Sequence, residues 1–111
     1  MDTYERRTQV ADDLRKLGDV IRLNAEIPVH EFGPIDIMYC VIDGDHDERE
    51  ARFNAHADDM QQIATEMGLD FAYASSVDKE GDTHHRATLT MPNEQVTYRV
   101  TWIERKGHAD A

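Results

Sequence analysis

A chain of 111 residues has room for one domain with a continuous core. It holds 32% charged residues and no apolar run near the ~18–20 residues of a membrane span, so no membrane association is expected, and its charged first turn argues against a secretory leader. A formal net charge of −11 repels phosphate, so direct nucleic-acid binding is not expected; the single cysteine, Cys40, rules out an intramolecular disulfide and suits a cytoplasmic protein.

Residues 3–23 have the spacing of an amphipathic helix. Val10, Leu14, Leu17 and Ile21 fall on one face, with Tyr4 and Ala11 beside them. Asp2 suits the N-cap and Glu5 sits three residues on, in capping-box position. Gly18 predicts a bend or fraying, and Asn24 a left-handed terminator. The charges of residues 1–24 cancel, five acids against five bases. Residues 25–80 hold fourteen acids against Arg49, Arg52 and Lys79, which is the whole of the net charge.

Pro28 and Pro34 bias residues 25–34 toward an extended linker. Residues 35–42 form a strand that is apolar on both sides: Ile35, Ile37, Tyr39 and Val41 alternate with Asp36, Met38, Cys40 and Ile42. Such strands are usually covered twice, so Cys40 is expected to be a buried small hydrophobe. Its surroundings are negative, which disfavours a thiolate, and no nucleophilic role is expected. Cover for Met38, Cys40 and Ile42 would come from the N-terminal helix or from a second copy, and the strand is read as a homodimer contact.

Asp45 with Glu48 predicts a capped start for a second helix, and Gly68-Leu69 a left-handed stop after Met67. Phe53, Ala57, Met60, Ile63, Ala64 and Met67 make its apolar stripe. Three strands follow. Residues 71–77 lead into a turn at 78–82. In residues 83–91, His85, Ala87, Leu89 and Met91 alternate with polar neighbours; Pro92-Asn93-Glu94 turns the chain; and Val96, Tyr98, Val100 and Trp102 then share one side. Trp102 therefore reads as core, not as a base-stacking platform. Residues 104–111 carry no packing signal and are expected to trail into solvent.

The expected fold class is α+β: an N-terminal helix, then β-α-β-β-β, with about four mainly antiparallel strands and the second helix on one face. The expected organisation is a single domain over 1–111, comprising helix 1–24, linker 25–34, core 35–104 and a flexible tail 105–111.

Signatures of chemistry are sparse. Asp43-x-Asp45-x-Asp47 matches the start of a calcium loop, but Glu48 and Asn54 stand where glycine and a bidentate glutamate are required. Among the histidines, His46 and His56 do not share a helix face, and the adjacent His84 and His85 point to opposite sides of a strand. No phosphate loop, nucleophile elbow or CxxC pair occurs. No metal site, cofactor or catalytic residue is therefore expected, and the chain reads as a non-enzyme.

Phe32-Gly33-Pro34-Ile35-Asp36, Val41-Ile42-Asp43-Gly44, Met67-Gly68-Leu69 and Val96-Thr97-Tyr98-Arg99-Val100 follow one another over about residues 10–104. In this order the chain resembles a group of small uncharacterised α+β proteins from actinobacteria and their phages or mobile elements. The resemblance implies the fold and a cytoplasmic accessory role, and no activity.

What remains is the acidic middle. Asp43, Asp45, Asp47, Glu48, Glu50, Asp58 and Asp59 are the candidate surface for a basic partner protein. One alternative is mimicry of DNA toward a nucleic-acid-binding host protein. Another is a small enzyme or ligand-binding domain with a pocket around His30, Cys40, Tyr98 and His85.

Overall fold

The computed structural model describes residues 2–29 and 33–108. The chain divides into two compact units, Met1–Phe32 and Gly33–Ala111.

The first unit is helix α1, Thr3–Leu23. Asp2 caps it, its Oδ1 accepting from the Glu5 N–H at 2.7 Å. Pairs at i, i+3 line its surface, Asp12 with Arg15 and Asp19 with Arg22. Gly18 does not break the helix. Val10, Leu14 and Leu17 keep 40–50% of their surface exposed, and α1 buries none of its residues. Asn24 corrects the expected left-handed terminator: it is extended (φ −131°, ψ 95°). Its Nδ2 instead donates to the Val20 carbonyl at 2.8 Å, so a side chain does the capping that a left-handed turn would have done.

The second unit is β1 (Ile35–Cys40), α2 (His46–Met67), β2 (Asp70–Val77), β3 (Thr83–Thr90) and β4 (Val96–Glu104), closed by a 3-10 turn at Lys106–His108. The strands form one sheet in the order β1-β4-β3-β2. α2 carries the chain back so that β2 runs in the same direction as β1, and two hairpin turns then reverse it twice, so β4 runs parallel to β1 while the β2–β3 and β3–β4 pairs are antiparallel. The sheet is therefore mixed, and the α+β class holds.

Register explains the core. Ile37, Tyr98, Leu89 and Phe71 lie in one row across the sheet; Tyr39, Val100, Ala87 and Tyr73 in the next; Trp102 and His85 in a third. α2 covers this side. Phe53, Met60 and Ala64 are its buried residues, and Phe53 and Met60 join Val41, Ala87, Val100 and Trp102 in one cluster. Phe53 is 1% exposed and packs its ring near Tyr73, His85 and Trp102. The stripe is narrower than its periodicity suggests, since Ile63 and Met67 stay exposed.

Both ends of α2 follow their sequence signals. Asp45 and Glu48 form a full capping box, and Gly68 sits at φ 69° with its N–H bonded to the Ala64 carbonyl. In the β3–β4 turn, Glu94 takes a left-handed φ of 62° and its N–H donates to the Met91 carbonyl at 2.8 Å.

Three further expectations need correction. β1 ends at Cys40, although the Val41 N–H still donates to the Thr101 carbonyl at 2.8 Å. Cys40 is exposed: it pairs with Thr101, on the side of the sheet facing away from α2. On that side Asp36 accepts from Thr97 Oγ1 at 2.8 Å and from Arg99 Nη2, and a shallow cavity of about 240 Å³ lies among Met38, Cys40, His84, Arg86 and Thr101. Residues 104–106 do not trail, and residues 109–111 of the expected tail lie outside the described residues. Glu104 lies in β4 and is half-buried, and the Arg105 guanidinium and Lys106 N–H both donate to Asp82, at 3.0 and 2.8 Å.

Candidate functional site

All seven acids singled out in the sequence are exposed, in the loop before α2 and along that helix. Their local roles differ. The Asp43 carbonyl accepts from Arg52 Nη2. Asp45 and Glu48 are the capping box: the Asp45 carboxylate accepts from the Glu48 N–H at 2.9 Å, and Glu48 reaches back to the Asp45 N–H at 3.4 Å. Four acids in the first turns suit the positive end of the helix dipole. Asp58 borders a groove of about 400 Å³ with Asn54, Gln61, Phe71 and Tyr73. Asp59 projects into solvent.

Asp47 and Glu50 belong to a second arrangement, built on His46. His46 is the first residue of α2, which brings it beside the end of β4. Its Nε2 lies 2.8 Å from Glu104 Oε2, and its Nδ1 lies 3.1 Å from Asp47 Oδ1. Ionised carboxylates can only accept, so a carboxylate at each ring nitrogen favours the imidazolium form of His46. Its pKa is raised accordingly, first by the hydrogen bond to Glu104 and then by that to Asp47.

Glu104 is shared. Its Oε1 accepts from His85 Nε2 at 2.9 Å, and His85 Nδ1 lies 2.7 Å from the Tyr73 hydroxyl. With Tyr73 donating to Nδ1, the Nε2–H of His85 is free to donate to Glu104. The hydrogen bonds from His46 and then from His85 hold the Glu104 carboxyl below the usual carboxylate range, against the opposing cost of burial. Trp102 fixes both imidazoles: His85 stacks on the indole at 4.8 Å between ring centroids, and His46 meets it edge-on at 5.5 Å. Glu50, one turn along α2 from His46, completes a group in which ligand atoms of His46, Glu50 and Glu104 all lie within 4.8 Å of one another.

The cluster joins the N-terminus of α2 to β2, β3 and β4 and can hold protons or a cation. Sequence reading missed Glu104, which it placed at the edge of a trailing end, and with it the roles of His85 and Tyr73. Two signals were present. His46 and Glu50 have i, i+4 spacing on a helix, and Glu104 continues the inward alternation of Val100 and Trp102. The first joins a histidine to a carboxylate and involves no second histidine. Only the β3–β4 register, which sets His85 opposite Trp102, supplies the rest.

The pocket around His30, Cys40, Tyr98 and His85 does not assemble. Cys40 faces away from the side of the sheet that carries Tyr98 and His85, and His30 lies outside the described residues. Among the described residues no helix is long and apolar enough to cross a membrane. No family model matches the chain, and no curated protein or solved structure matches it.

Proposed function

We propose that this protein is a non-enzymatic accessory protein, of phage or mobile-element origin and acting in the cytoplasm, that docks a basic partner protein on the acidic side of α2. One observation carries this reading: Asp43, Asp45, Asp47, Glu48, Glu50, Asp58 and Asp59 are exposed together, while Phe53, Met60 and Ala64 occupy the buried face of the same helix. Asp47 and Asp58 are eleven residues apart, as are Glu48 and Asp59, so each pair repeats after three turns, about 16 Å along the axis. The two rows flank the line opposite Phe53. Such a surface concentrates negative potential, steers a cationic partner and repels nucleic acid.

Charge reversal tests the surface. The full chain and an Asp58→Lys/Asp59→Lys variant are used as bait at low and high salt. A basic partner captured at low salt, released at high salt and lost by the variant supports the reading. Capture by the variant, or a lack of any salt-sensitive partner, overturns it. If duplex DNA displaces the partner, the reading narrows to mimicry of phosphate.

The same proposal includes a homodimer through the open side of β1. Met38 and Cys40 are exposed there on an edge strand, next to the exposed Ile42. Sedimentation at micromolar concentration is expected to give twice the 12.7 kDa chain mass, and the mass of a single chain overturns this part.

A further inference from the structure

We propose that His46, Glu50 and Glu104 bind one divalent first-row transition-metal ion, with zinc the best match. The inference does not rest on partner docking.

Geometry comes first. His46 and Glu50 are four residues apart in the first two turns of α2, on one side of the helix, and Glu104 reaches them from the end of β4. The His46 Nε2 and Glu104 Oε2 atoms are 2.8 Å apart. Two ligands bonded at ~2.0–2.1 Å to a tetrahedral ion are about 3.4 Å apart, so the ion takes the place of the shared proton once these atoms part by roughly half an ångström. The third ligand, Glu50, is exposed and closes on the ion from the solvent side.

The surroundings are those that hold ligands in place. His46 turns its other nitrogen to Asp47 Oδ1 at 3.1 Å, a carboxylate–histidine arrangement that orients the ring toward a metal. Glu104 keeps Oε1 on His85 Nε2 at 2.9 Å and turns Oε2 to His46, and His85 is itself held by Tyr73 and by the Trp102 ring. Two of the three ligands are thus anchored to the core before any ion arrives.

Ligand chemistry selects the ion. An imidazole nitrogen with two carboxylates suits zinc and its neighbours better than magnesium or calcium, which prefer all-oxygen shells. A neutral imidazole and two carboxylates balance a double positive charge. Three protein ligands leave a fourth position open to water, as in zinc sites that are not purely structural.

The test uses the full chain, labelled with nitrogen-15, and zinc chloride. Calorimetry is expected to give saturable one-to-one binding, and the His46 Nε2 resonance should shift ahead of those of His56 and His84. Glu50→Gln and His46→Gln should each weaken binding by about tenfold or more, while Asp59→Asn leaves it unchanged. Glu50 is exposed, so its variant reads binding without loss of the fold. The proposal is overturned by non-saturable binding, by a first shift at another histidine, or by unchanged affinity in the Glu50→Gln protein.

Discussion

Phe53 ties α2 to three strands through one ring. Its neighbours Tyr73, His85 and Trp102 lie on β2, β3 and β4, all with centroids near 6 Å. Phe53→Ala should cost roughly 3–5 kcal/mol of stability, measured by urea unfolding, because the rings around the cavity are held by their own strands and cannot close it. A second residue-scale prediction concerns acid. Asp82 accepts the Lys106 N–H and then the Arg105 guanidinium, and Asp78 accepts from His84 and from nearby backbone N–H groups; both carboxyls are lowered from the ordinary value. A carboxyl lowered on folding stabilises the folded state above its unfolded pKa, and that contribution disappears as pH falls through the folded value. Unfolding midpoints taken between pH 6 and pH 2 should therefore fall less steeply for Asp82→Asn than for the wild-type chain. Equal slopes would show that Asp82 does not tether residues 105 and 106.

At the scale of elements, α2 was legible to the residue because its signals are local. Asp45, Glu48 and Gly68 each act within one turn of the chain, and the helix starts and stops where they dictate. Asp45→Ala removes the acceptor for the Glu48 N–H and should lower stability by about 1 kcal/mol, with thermal unfolding as the measure. The alternation in residues 96–102 gave β4 its inward side for the same reason. β1 was harder to read. Its apolar character on both sides suggested cover on both, whereas every residue of β1 except Asp36 is exposed, Ile37 and Tyr39 on the side of α2 as well as Met38 and Cys40 on the other. Asn24 was misread because its side chain, and not its backbone, meets the last carbonyls of α1. The His46–Glu104 contact joins residues 58 apart, and no local pattern encodes such a meeting.

For the molecule as a whole, β4 is decisive. It lies inside the sheet, hydrogen-bonded to β1 on one side and β3 on the other, and it supplies Val100, Trp102 and Glu104 to the core and the histidine cluster. A fragment of residues 33–95 should thus show neither the far-ultraviolet signal of the sheet nor cooperative unfolding; a cooperative transition would mean that β1 finds another partner. The position of β4 also shapes synthesis. Ile35 pairs with Val96, so the early part of this unit is made about 3–12 s before β4 begins, at 5–20 residues per second. During that wait Phe53 and Met60 have no sheet to cover them, and the nascent segment that bears them is the one carrying nearly all of the excess acid. Like charge on that stretch disfavours close contact between two uncovered copies until β4 arrives, at distances within a Debye length of about 8 Å.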